Sequence, residues 1–132
     1  MISELQFQNQ ILDDVLKYDP KSWAIKLSHR FIAGIPDLLI KVPDHDVLFI
    51  ETKIAKPTKN GIKVETTPLQ RATMHMMNRA GMKVAVWILV DEVGLVRCMY
   101  NVTEMSKWDN SVTRVRGKGW PIKELITNHT GM

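Results

Sequence analysis

Glu51 and Lys53 stand two residues apart at the end of an apolar run, Val47-Leu48-Phe49-Ile50. In a strand, side chains alternate between faces, so these two charges share one face. An unpaired ion in a low-dielectric interior costs several kcal/mol, so the pair must meet each other, a metal or water. Asp37 is the candidate third member, because the Pro43-Asp44-His45-Asp46 break turns the chain and brings Asp37-Leu38-Leu39-Ile40 back alongside Glu51. Two carboxylates converging with a lysine are what metal-assisted phosphodiester hydrolysis requires. Hard oxygen ligands hold Mg2+ or Mn2+, which acidify bound water and polarise a phosphoryl oxygen. The lysine orients or deprotonates the attacking water, or stabilises charge in the transition state. Taken alone, Glu-x-Lys is common and reads first as an ion pair at a strand edge.

The hairpin sets a geometric condition on this grouping. A four-residue loop pairing Val42 with Val47 sets Asp37 opposite Thr52, on the wrong face for Glu51. An odd loop or a bulge returns Asp37 to the face of Glu51 and Lys53. The site therefore predicts that irregularity. Gly34 and Pro36 add a restricted backbone before Asp37, where a phosphate or metal would approach.

The elements that must hold these residues are legible from periodicity. Ser3 with Gln6 has capping-box spacing, and Leu5, Ile11, Leu12, Val15 and Leu16 recur at helical intervals until Asp19-Pro20. Three strands follow, over 23–27, 37–42 and 47–54. Residues 55–66 are a polar excursion with a hairpin turn at Asn60-Gly61. Thr67 then caps a second helix with Pro68 in its first turn, and Leu69, Ala72, Met76, Met77 and Ala80 form the expected apolar stripe, ending at Gly81. Met74 and Met82 read as packing residues of the same region. Val84 to Val90 is apolar throughout, as in strands buried on both faces. Leu95 to Tyr100 suggests one more strand and Pro121 to Asn128 a short last helix. The expected architecture is α/β, a mixed sheet flanked by helices in the order α-β-β-β-α-β. A single domain over 1–132 is expected, with a core of about 1–100 and a C-terminal extension of about 101–132.

At 132 residues and 45% hydrophobic content, the chain suffices for one core. Cys98 is the sole cysteine and offers neither a disulfide nor a zinc site, which fits a reducing compartment. No apolar run approaches the roughly 20 residues of a membrane span, so a cytoplasmic protein without a membrane partner is expected. The net charge of +4 and a pI near 9.3 point to a polyanionic partner. Lys56, Lys59 and Lys63 lie on the excursion just beyond Lys53, either as a clamp on a DNA backbone or as a solvated turn. Arg114, Arg116 and Lys118 stand beside Trp120, which offers charge with a stacking surface. Ser28, His29 and Arg30 follow the first strand and can reach phosphate, whereas His45, His75 and His129 lack ligand spacing and read as solvated.

The ordered set Gly34-Ile35-Pro36-Asp37, Glu51-Thr52-Lys53 and Gln70 resembles the PD-(D/E)xK nuclease pattern, and within it the VRR-NUC branch, the virus-type replication and repair nuclease domain. The resemblance covers roughly Glu4 to Val90. It implies a restriction-endonuclease-like α/β/α core that cleaves DNA with Mg2+ or Mn2+. Asp37, Glu51 and the main-chain carbonyl of Thr52 would be metal ligands, with Lys53 and Gln70 as further catalytic residues. Glu4 matches an acidic position on the first helix of similar proteins that completes the metal shell, although a glutamate there also suits the helix dipole. Gln8 lies one turn later. Gln70 likewise sits at capping-box spacing from Thr67. Small relatives of this kind resemble homodimeric junction-resolving enzymes, so the resemblance implies a structure-selective endonuclease, up to a Holliday-junction resolvase acting in DNA repair and recombination. The alternatives are a nicking or restriction-type nuclease and a non-catalytic DNA-binding module on the same fold.

Overall fold

Ser3 and Thr67 start the two long helices by the same device. The Ser3 hydroxyl accepts from the Gln6 amide at 3.1 Å while the Gln6 side chain accepts from the Ser3 amide at 2.8 Å. Thr67 and Gln70 repeat the exchange at 3.1 and 3.0 Å. Each box satisfies two amide groups that the first helical turn leaves without a partner. The computed structural model describes residues 2–27, 33–59, 61–90, 98–102, 112–115 and 121–129, of which 98–102, 112–115 and 128–129 are described by their backbone.

In chain order the elements are α1 (Glu4–Tyr18), β1 (Trp23–Lys26), β2 (Leu38–Lys41), β3 (Leu48–Ala55), β4 (Pro57–Thr58), β5 (Gly61–Glu65), α2 (Pro68–Arg79), β6 (Lys83–Val90), β7 (Cys98–Val102), β8 (Val112–Val115) and α3 (Ile122–His129). The main sheet runs β1-β2-β3-β6-β7, and β4-β5-β8 form a smaller one. Among the described residues only β3 and β6 pair in parallel, joined by the crossover that contains α2. The remaining pairs are antiparallel. The fold is thus the α/β class expected, with a mixed sheet flanked by helices.

Strand alternation divides the core into two layers. Ala85, Trp87 and Leu89 of β6 join Leu38, Ile40, Leu48 and Ile50 against Phe7, Ile11 and Val15 of α1 and Ile122, Leu125 and Ile126 of α3. Val84, Val86, Ile88 and Val90 face the other way, against Met74 of α2 and Ile62 and Val64 of β5. Each fully buried side chain of this size contributes about 1.5–3 kcal/mol of transfer free energy, which holds β3 and β6 at the centre. None of the described helices is long and apolar enough to cross a membrane.

Several expectations change: Leu5 and Leu16 of the expected α1 stripe are exposed, and Asp37 stands just before β2. Leu69 and Met76 of the predicted α2 stripe are 51% and 56% exposed, and Met82 beyond the helix is also exposed, whereas Met74 is buried and Met77 partly so. The helix turns its Gln70-Met74-Met77 side inward, with Met74 and Met77 packed in the layer of Val84, Val86 and Ile88 and Gln70 accepting from Lys53. A further strand, β8, lacked a local signal in the sequence and pairs with β5 from far along the chain. The predicted strand over 95–100 is observed as Cys98–Val102, with 95–97 outside the described residues. The last helix begins one residue later than predicted.

Candidate active site

The β2–β3 turn meets the condition that the site imposes. Leu38 pairs with Ile50, Leu39 with Phe49 and Ile40 with Leu48. Continued one step, this register sets Asp37 opposite Glu51, and at the other end it leaves the odd loop Pro43-Asp44-His45. The His45 amide donates to the Val42 carbonyl at 3.0 Å, and Asp44 has φ 68°. Proline followed by a left-handed residue is the signature of a type II turn.

At the open end of this hairpin, Asp37 replaces strand pairing with its side chain. Its Oδ2 accepts from the Thr52 amide and from Thr52 Oγ1, each at 2.8 Å. Glu51 is 1% exposed, and its Oε2 is buried with no hydrogen-bond partner. Glu4 reaches in from the first turn of α1, with Oε1 3.5 Å from Thr52 Oγ1. One carboxylate oxygen from each of Glu4, Asp37 and Glu51 lies within 4.8 Å of the others.

Three carboxylates this close cannot all stay ionised without a cation. Burial first, then a hydrogen bond to Asp37 and the charge of Asp37, push the Glu51 carboxyl up to about 10; Lys53 opposes the rise and Glu4 adds to it. A buried oxygen without a partner among hard anionic donors fits Mg2+ or Mn2+, which would supply the missing contact and remove the repulsion.

Lys53 completes the arrangement from the same strand. Its Nζ donates to Gln70 Oε1 at 3.1 Å, and that oxygen also accepts from the Thr67 amide at 3.0 Å. The two roles weighed for Gln70, capping and reaching the site, are therefore held by one atom at once. Gln8 also belongs here, because its Nε2 donates to Thr52 Oγ1 at 3.0 Å. Spacing alone placed Gln8 on the face of Glu4 without naming this partner.

Gly34 has φ +80°, and a Cβ there would lie 2.8 Å from Thr73 Oγ1 and 2.9 Å from the Leu69 carbonyl oxygen. The close approach expected before Asp37 is thus made to α2. It ties the loop that carries Asp37 to the helix that carries Gln70.

Beyond Lys53, the β4–β5 hairpin encloses a cleft of about 300 Å³ lined by Lys53, Lys56, Thr58, Lys63 and Glu65. Lys56, Lys59 and Lys63 are exposed, and Lys63 Nζ lies 3.3 Å from Glu65. In the small sheet Arg114 is the register partner of Lys63. The Arg114 side chain and Ser28, His29, Arg30, Arg116, Lys118, Trp120 and Asn60 lie outside the described residues. His45 and His75 are half-buried, in contrast to the solvated positions expected, since the hairpin turn and the inward rotation of α2 enclose them.

No family model and no curated protein sequence matches this chain. Among solved structures, the fold is similar to that of Hjc from Archaeoglobus fulgidus, a Holliday junction resolvase from an archaeal hyperthermophile. The TM-score is 0.50 and the identity 13%, with 73% of each chain covered. At that identity the likeness establishes a shared fold.

Proposed function

We propose that the chain is a divalent-metal-dependent, structure-selective DNA endonuclease of the PD-(D/E)xK type and VRR-NUC branch, acting on branched DNA such as a Holliday junction. The observation that carries this reading is the convergence of the Glu4, Asp37 and Glu51 carboxylates, with Glu51 Oε2 buried and without a hydrogen-bond partner, on the strand that also presents Lys53. The similarity of fold to a Holliday junction resolvase supports the choice of substrate.

In this reading Asp37, Glu51 and Glu4 hold the cation. The Thr52 carbonyl joins them, since in a strand it projects to the same side as the Thr52 amide that meets Asp37. A cation bound there would polarise a phosphoryl oxygen and acidify water. Lys53, held by Gln70, would orient the attacking water and neutralise charge on the phosphoryl oxygens. Water adds to phosphorus, the bond to the 3′ oxygen breaks, and the products are a 5′-phosphate and a 3′-hydroxyl. Lys56, Lys59 and Lys63, with Arg30, Arg114, Arg116 and Lys118, neutralise backbone phosphates. The 132 residues act as one domain, and a homodimer inside the cell would place two cuts on a symmetric junction.

The test is cleavage of junction, flap, nicked and duplex DNAs with Mg2+ or Mn2+. Glu51→Gln is expected to abolish cleavage and weaken Mn2+ binding. Lys53→Ala is expected to lower the rate by about 10²–10⁴-fold, the usual range for a group acting on protons in the transition state, with Mn2+ binding retained. Binding without cleavage of any substrate would replace the enzyme by a binding module. Preferential cleavage of nicked or plain duplex DNA would make it a nicking or restriction-type nuclease.

A further inference from the structure

Thr52 lies between two functional positions, and strand alternation turns its side chain away from theirs, toward the layer beneath α1 that holds Leu48 and Ile50. The side chain is fully buried there. An aliphatic residue would suit that layer, whereas a buried hydroxyl must find partners. It has two. Thr52 Oγ1 is 2.8 Å from Asp37 Oδ2 and 3.0 Å from Gln8 Nε2. Asp37 Oδ2 already accepts the Thr52 amide hydrogen, so it acts as an acceptor toward the hydroxyl as well. A hydroxyl has one hydrogen to give. That hydrogen goes to Asp37, and Gln8 must then present its NH2 group, which makes the chain Gln8 to Thr52 to Asp37 run in one direction.

Glu4 Oε1, 3.5 Å from the same hydroxyl, is the competing acceptor. With Gln8 Nε2 donating to Oγ1, the single hydroxyl hydrogen is left for an acceptor, and Asp37 Oδ2 at 2.8 Å is nearer than Glu4 Oε1 at 3.5 Å. We propose that Gln8 is a positioning residue for the cation site: through the Thr52 hydroxyl it holds the Asp37 carboxylate in the orientation that binds metal. This inference rests on the metal-dependent reading above. Partners that orient a metal ligand typically change metal affinity by 10–100-fold when removed.

The experiment is Mn2+ titration calorimetry on the full chain, with Mn2+-dependent cleavage measured in parallel and thermal unfolding confirming that each variant is folded. Thr52→Val, which keeps the shape, is expected to weaken Mn2+ binding at least ~10-fold, and Gln8→Leu several-fold, in line with such partners. Because Gln8 acts only through the hydroxyl, the double variant should bind Mn2+ no more weakly than Thr52→Val alone. Thr52→Ser, which retains the hydroxyl, should behave as wild type. For Gln8→Leu, cleavage lost at low Mn2+ should return when Mn2+ is raised. Unchanged Mn2+ affinity in Gln8→Leu or Thr52→Val would overturn the inference, as would losses that multiply in the double variant or a Thr52→Ser that fails like Thr52→Val. If wild type binds Mn2+ and Glu51→Gln does not, those failures strike this inference alone. Absence of Mn2+ binding in wild type would overturn the metal-site reading and this inference with it.

Discussion

Glu51 is held in a position that suits a bound cation better than a free protein. Without metal its carboxyl is pushed up to about 10, first by burial and then by Asp37. The folded state therefore binds a proton that the unfolded state releases near pH 4.5, so this residue's contribution to stability falls as pH rises from there toward 10. Metal-free wild type is expected to lose thermal stability across that window, whereas Glu51→Gln should show a flatter profile and a higher Tm at pH 8. Identical pH profiles for the two proteins would show that Glu51 is not protonated in the fold. The same proton must leave when a cation binds. Mn2+ calorimetry at pH 7 in buffers of different ionisation enthalpy should report net proton release, and no dependence on buffer would contradict a protonated centre. The identities of Asp37, Glu51 and Lys53 were readable as a group because charges at the end of an apolar strand demand a partner. The shared use of Gln70 Oε1 was not, because both readings of that residue satisfy the same local spacing.

Among the elements, the β2–β3 hairpin and the loop before it do the aligning. The odd turn at Pro43-Asp44-His45 sets the register that opposes Asp37 to Glu51. Inserting one glycine after Asp44 shifts that register or forces a bulge, and should abolish the Glu51-dependent Mn2+ binding while leaving much of the helical circular dichroism. Gly34 locks the same loop onto α2. Gly34→Ala combines a strained φ with Cβ contacts under 3 Å to Thr73 and Leu69. A loss of about 1–3 kcal/mol in urea unfolding follows from strain and overpacking of this kind, and wild-type stability would show that the loop can shift freely. Counting apolar residues favours Leu69, Ala72 and Met76 for the inner face of α2, whereas in the fold Gln70 faces Lys53 and the backbone of Gly34 abuts Thr73. Polar and steric contacts from outside the helix outweighed its own periodicity.

Across the molecule, the small sheet places a basic hairpin next to the carboxylate centre. The cleft brings Lys56 and Lys63 together with Lys53, two residues along β3 from Glu51, so under the proposed function a DNA backbone held there would lie beside the cation site. Each of Lys56→Ala, Lys59→Ala and Lys63→Ala should weaken junction binding about equally across sequences. Each lysine that contacts a phosphate should reduce the slope of log affinity against log salt by about 1. A variant with an unchanged slope removes that lysine from the interface. The excursion itself was visible as a polar, lysine-rich segment with a hairpin turn. Its completion by β8 was not, because four residues, Val112-Thr113-Arg114-Val115, carry no pattern strong enough to announce a partner as distant as β5.

The sequence by itself determined the helix caps, the doubly buried β6, the odd hairpin and the strand address of Glu51 and Lys53, with Asp37 one residue before the strand it was expected to open. Capping, alternation and turn chemistry act between residues only a few positions apart, so their signals are local. Tertiary structure alone decided which face α2 turns inward, which strand closes the small sheet and that Gln8 reaches Asp37 through Thr52. Those outcomes depend on contacts between distant segments, where packing and the pairing of buried polar groups prevail over the periodicity of any one element.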